Sequence, residues 1–144
     1  MTYALLLIAA TLLAFAAYVR LAPTDAARWH ADPTEALSAA GALALSPLES
    51  ERKIIAMPGG AVAWVEVLGA GPAALARLDE IALATPRTTR LAGSPEEGRI
   101  TWVTRSALWG FPDYTTADAI THDVATSELR LFARLRFGSS GSGR

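Results

Sequence analysis

From Thr2 to Val19 the chain carries no charged side chain and almost no polar one: Thr2-Tyr3-Ala4-Leu5-Leu6-Leu7-Ile8-Ala9-Ala10-Thr11-Leu12-Leu13-Ala14-Phe15-Ala16-Ala17-Tyr18-Val19. Few folds can absorb such a run. Roughly 17–25 apolar residues are needed to cross the hydrocarbon core of a bilayer as a helix, and this stretch is just long enough. Tyr3 and Tyr18 stand at its two ends, where amphipathic rings favour the membrane interface. A buried core helix is disfavoured by apolar character all round together with the place at the extreme N-terminus. A signal peptide is the competing reading, because Ala14-Phe15-Ala16 resembles a small-x-small cleavage site. No Lys or Arg precedes the run, which favours an uncleaved anchor over residues 1–20. Arg20 and Arg28 weakly pull the C-terminal side toward the cytoplasm.

The remainder suits one small domain. Net charge is -1, so no global basic field recruits nucleic acid. Every basic residue except Lys53 is arginine. The absence of cysteine excludes disulfides, zinc–thiolate sites, thiol catalysis and a cysteine-linked lipid. With two histidines in the chain, a multi-histidine metal site is not expected, and no cofactor is implied.

Residues 21–48 read as a Pro/Ala-rich connector. Within it, Asp32-Pro33-Thr34-Glu35 can start a short helix running to Ala40, with Gly41 ending it. Trp29 and His30 can dock on the domain or sit at headgroup level. The domain itself is expected over 49–138. Arg52 to Met57 reads as a strand, Pro58-Gly59-Gly60 as a turn and Val62 to Leu68 as a second strand. A helix opened by Pro72 runs to about Ala84, with Leu75, Leu78 and Ala82 on one face and Arg77 and Asp79 off it. Thr85 to Arg90 closes the helix, and Ser94 to Gly98 is an exposed turn. Strands are expected over Arg99–Ser106, Tyr114–Thr121 and Glu128–Phe137. In the last, Leu129, Leu131, Ala133, Leu135 and Phe137 alternate with Arg130, Phe132, Arg134 and Arg136. Residues 139–144 have the composition of a flexible tail. The order β-β-α-β-β-β is that of an α+β domain in two layers, an antiparallel sheet covered by one helix.

Trp102 to Tyr114 is the densest stretch in large side chains. It holds two of the four tryptophans and a Gly110-Phe111-Pro112-Asp113 turn between alternating segments. Arg105 and Asp113 are charges among apolar groups, so they are expected to meet each other or a shared ligand across the turn. The turn is either core packing or the wall of a small pocket. The arginines of the last strand pose a similar choice. If Glu66, Asp113, Asp118 and Glu128 answer them, they form a solvated salt-bridge face. If not, Arg105, Arg134 and Arg136, together with Arg87, make a cradle for a carboxylate, a phosphate or a lipid headgroup, which the planar guanidinium suits. A triad of Ser106 or Ser140 with His30 or His122 and Asp113 can be written, but no nucleophile-elbow pattern surrounds either serine. No enzymatic activity is expected.

Three segments carry a family resemblance: Arg28-Trp29-His30-x-Asp32-Pro33, Thr104-Arg105-Ser106 leading into Gly110-Phe111-Pro112-Asp113-Tyr114, and Arg134-x-Arg136-Phe137-Gly138-Ser139-Ser140. The chain from about Arg28 to Ser140 resembles the domain-of-unknown-function 1499 family, in its bacterial branch with an N-terminal hydrophobic segment. The resemblance implies an α+β fold and export to, or anchoring at, a membrane; no activity comes with it. The chain departs from the family's pattern in ending at Gly141-Ser142-Gly143-Arg144, as if truncated, and in lacking the cysteine pair of another branch. The expectation is a single-pass protein of a bacterial inner membrane with its domain in the periplasm. It would serve as a non-catalytic interaction module, an accessory subunit of a larger membrane complex, with Trp29, His30, Trp109, Phe111 and Tyr114 at its interface. The alternative is an anion or lipid-headgroup binding domain built on the arginines.

Overall fold

A computed structural model of the chain describes residues 2–39, 53–123 and 125–136. The expected helix end at Ala40-Gly41, the strand start at Arg52, Phe137, the tail and Ser140 lie outside the described residues. Helix α1 spans Thr2–Leu21, a short turn of helix α2 spans Ala26–Trp29, and α3 spans Pro33–Ala39. Strands β1 (Lys53–Met57) and β2 (Gly60–Leu68) precede helix α4 (Gly71–Ala84). Four strands follow: β3 (Thr88–Ser94), β4 (Arg99–Arg105), β5 (Pro112–Thr121) and β6 (Thr126–Leu135).

The six strands form one sheet in the order β1-β2-β6-β5-β4-β3, with every neighbouring pair antiparallel. Strands β3 to β6 are a meander, and β6 closes against β2. The connection from β2 to β3 therefore has to pass three strands, and α4 makes that crossing. The protein is α+β, as expected, but its strand pattern differs from the reading of the sequence. Thr85-Pro86-Arg87 does end a helix, but Thr88 at once begins a strand that the expected order lacks. Pro86 and the left-handed backbone of Arg87 (φ 63°) confine the turn to so few residues that no linker is needed.

Alternation along the strands sorts the side chains onto two faces. On one, Leu75 of α4 packs with Ile100, Trp102, Ala117 and Leu129, with Val65, Leu78, Ala82 and Leu131 around them. Asp79 also lies on this face, contrary to the expected arrangement, and is buried at 6% exposure. It stands four residues after Leu75, one turn on, so burying the leucine buries the aspartate. Two donors answer its charge: Trp102 Nε1 at 2.8 Å and the guanidinium of Arg90. The Arg90 bonds hold the Asp79 carboxyl below the usual carboxylate range.

The other face is closed by residues before β1. Ala36 and Leu37 of α3 bury against Val62 and Trp64, and Trp29 of α2 buries with Val103 and Tyr114. The sheet is thus packed on both faces, by α4 on one and by α2 and α3 on the other. Much of the expected connector is a structural layer. Asp32 caps α3 by accepting from the Thr34 amide at 2.8 Å. Pro33 at the first position needs no such partner.

Candidate functional site

Trp29 and His30, Tyr114, and Arg134 with Arg136 meet on the face covered by α2 and α3. Trp29 stacks on Tyr114 with ring centroids 3.9 Å apart and an interplanar angle of 14°. The Arg134 guanidinium lies over the Trp29 ring, 5.0 Å from its centroid, and donates to the Trp29 carbonyl. Thr116 donates to that carbonyl as well, and its hydroxyl bonds Thr101, which bonds His30 Nδ1 at 2.9 Å. Arg136 donates to the Pro23 carbonyl and to Tyr114 Oη, and Thr24 Oγ1 lies 3.3 Å from the same phenol. At Gly93 the His30 ring comes so close that a Cβ would stand 2.8 Å from its Cε1.

Beside this network lie the charges of the adjacent strands. Asp118 takes both prongs of Arg130 at 2.9 Å each, and Arg99 bridges Asp32 at 2.7 Å to Asp118 at 3.7 Å. Asp118 and Arg130 are buried, so the pair is a fully desolvated one and not the solvated face that the arginine alternation suggested. Burial pushes the Asp118 carboxyl up, and the Arg130 fork offsets part of the push. Burial likewise lowers the Arg134 guanidinium, with Arg28 adding repulsion.

Of the residues expected in a cradle, then, Arg134 and Arg136 hold the docked segment. Arg105 and Asp113 do not meet. The β4–β5 register pairs Arg105 with Pro112 and Thr104 with Asp113, which puts the two charges on opposite faces of the sheet. Asp113 sits by Leu135, where burial pushes its carboxyl up. Among the expected interface residues, Trp29 and Tyr114 are buried inside the fold, while Trp109 and Phe111 lie in the β4–β5 loop.

Arg105 and Arg87 are brought together elsewhere, with a third arginine that the sequence reading left aside. The Arg105 amide donates to the Arg87 carbonyl at 3.0 Å, and Arg87 Nε donates back to the Arg105 carbonyl at 3.1 Å. Arg105 Nη1 reaches the Gly110 carbonyl at 3.1 Å. Arg20, at the end of α1, donates to the Leu108 carbonyl at 3.4 Å and packs its stem on Gly110. Gly110 has φ 74°, and a Cβ there would stand 2.9 Å from the Arg20 Cγ, so both the turn and the close approach require glycine. These residues, with Thr89, Ser106 and Ala107, line a cavity of about 400 Å³. The three guanidiniums donate to the backbone carbonyls of Leu108, Arg105 and Gly110. Among the described residues no carboxylate pairs with any of them.

Comparison with protein-family models, curated proteins and solved structures found no match. The functional reading therefore rests on this geometry. Ser106 Oγ accepts from the Phe111 amide at 2.9 Å, and His30 Nδ1 is bonded to Thr101. Among the described residues neither is brought into a nucleophile–base pair. Three arginine charges around an open cavity can attract and orient an anion.

Proposed function

We propose that this protein is a membrane-anchored, non-catalytic binding domain that holds an anionic group in the pocket of Arg20, Arg87 and Arg105. The observation that carries the reading is that three arginines line one cavity and, among the described residues, none is paired with a carboxylate. Like charges at one site repel unless something anionic joins them, and the arginine fork fits phosphate and carboxylate oxygens. The anchor is α1, which is long and apolar enough to cross a membrane by length and composition, as a signal sequence also is. In keeping with the family resemblance, the membrane is the inner membrane of a bacterium and the domain faces the periplasm.

The test is anion binding by the full chain in mild detergent, followed through the thermal midpoint with inorganic phosphate as titrant. Phosphate should raise the midpoint, and Arg105→Gln should weaken the effect about tenfold, the worth of one charge-assisted hydrogen bond. A midpoint that ignores phosphate would sink the pocket reading.

A second reading, an accessory subunit docking on a membrane protein, is favoured by one surface. Ile54 is 77% exposed and Leu135 37%, on the α4 face, where the register also places Ala56, Ala61, Ala63 and Ala133. Mild extraction followed by native gel separation tests it. A protein that always migrates alone counts against a stable partner.

A further inference from the structure

We infer that the Ala107–Phe111 loop is a second membrane contact, lying in the headgroup–acyl boundary of the leaflet in which α1 ends, and that the anion in the pocket is the phosphate of a phospholipid. The inference rests on the proposed function and names its ligand.

Depth along α1 is the first support. The Phe111 ring meets the Phe15 ring edge to face, with centroids 6.1 Å apart. Phe15 lies six residues before the helix end at Leu21, about 9 Å along the axis at about 1.5 Å per residue. If α1 spans the bilayer to its end, the tip of the β4–β5 loop is held below that end by about the depth to which interfacial segments sink, roughly 5–10 Å.

The loop's chemistry agrees with that depth. Leu108 is 75% exposed, beside Ala107, which is also exposed, and the half-buried Trp109 and Phe111. Trp is the side chain most at home at such a boundary, and an exposed leucine at the tip costs least where lipid covers it. Part of the loop's backbone is also occupied, which lowers the cost of leaving water. Ser106 satisfies the Phe111 amide, the Gly110 amide donates to the Ser106 carbonyl, and Arg20 and Arg105 take the Leu108 and Gly110 carbonyls.

The arginines follow from the same geometry. Arg20 is at the end of the apolar helix, where a guanidinium reaches out to the phosphate layer. Arg87 and Arg105 share its cavity. The loop's apolar tip and the basic pocket are contiguous through Gly110, so acyl chain and phosphate of one lipid can be met together.

The chain has no cysteine, so Leu108→Cys supplies a single labelling site at an exposed position. A nitroxide there, in the full chain reconstituted into phosphatidylcholine vesicles containing phosphatidylglycerol, should be more accessible to oxygen than to a water-soluble nickel chelate. In parallel, dihexanoyl phosphatidylglycerol should bind the detergent-solubilised chain at least about tenfold more tightly than inorganic phosphate, the gain of about two buried methylenes or one further polar contact. A label that reads as aqueous overturns the inference, and so does inorganic phosphate that binds as tightly as the lipid. If phosphate binding is still weakened by Arg105→Gln in those cases, the pocket stands with a soluble anion as its ligand. If neither anion binds, the pocket falls with the inference.

Discussion

Arg87 is the residue on which stability and binding pull in different directions. It is the only non-glycine among the described residues with positive φ, a conformation that costs an L-residue about 1–2 kcal/mol. Glycine would relieve that cost, at the expense of roughly 0.5–1 kcal/mol of extra freedom in the unfolded chain. Arg87→Gly and Arg87→Ala both lose the bond from Nε to the Arg105 carbonyl, so the backbone term shows in their difference: glycine should be the more stable by about 1 kcal/mol, by denaturant titration. Both variants should lose affinity for phosphate. If glycine and alanine prove equally stable, the backbone at this position is not strained, and the case for an arginine kept there for its charge is weakened. Charge alone places Arg87 among the cradle residues in the sequence. It could not supply Arg20, whose partner Leu108 is 88 positions away, because that contact exists only once α1 lies against the β4–β5 loop.

At the scale of elements, the α2–α3 segment carries a titratable contact. Burial and the nearby Arg99 hold the His30 imidazole below its usual value, with Glu97 working against them. The undocked segment, with an ordinary histidine near pH 6.5, takes up a proton first. Docking is thus at full strength above about pH 6.5 and weakens as pH falls toward and through the lowered value. Asp32 acts in a lower window. Burial raises its carboxyl, but the Thr34 and Arg99 donors outweigh that and hold it below the usual range, so its contribution fades only in stronger acid. Hydrogen exchange of residues 26–39, corrected for intrinsic rate, should rise between about pH 7 and 5, and His30→Asn should remove that rise. Unchanged protection across the interval would refute a role for the imidazole.

The same elements show what was legible in advance. The alternation of β6 named its two faces correctly, because a period of two leaves no other arrangement for Leu129, Leu131 and Leu135 against Arg130 and Arg134. Trp29 and His30 can be seen in the sequence as able to dock, but their place on Tyr114 and Thr101 depends on strands some seventy to ninety residues later. Charge points Asp79 away from the core, whereas the helical period sets it one turn from the buried Leu75. Strand β3 is hidden because Pro86 and Arg87 punctuate the chain just before it.

For the whole molecule, the proposed sidedness is open to a direct measurement. An alkaline phosphatase fused after Arg144 should be active, since that reporter needs an oxidising compartment for its disulfides. Arg20 and Arg28 oppose the assignment only mildly, because two charges set a shallow preference. An inactive phosphatase beside a fluorescent cytoplasmic reporter at the same site would place the domain, its pocket and its apolar surface on the other side.

The docking of the residues after α1 also has a mechanical consequence. Val19 and Ala22 are buried, Arg20 grips the β4–β5 loop, and Pro23, Thr24 and Trp29 are held by Arg136, Tyr114 and Arg134. No slack intervenes between the helix and the sheet. A domain on a loose tether samples orientations whatever its anchor does, whereas here axial rotation or tilt of α1 becomes rotation or tilt of the six strands. In the proposed membrane setting, anything that turns the helix, whether a neighbouring helix or a change in bilayer thickness, swings the domain like the hand of a clock on its spindle.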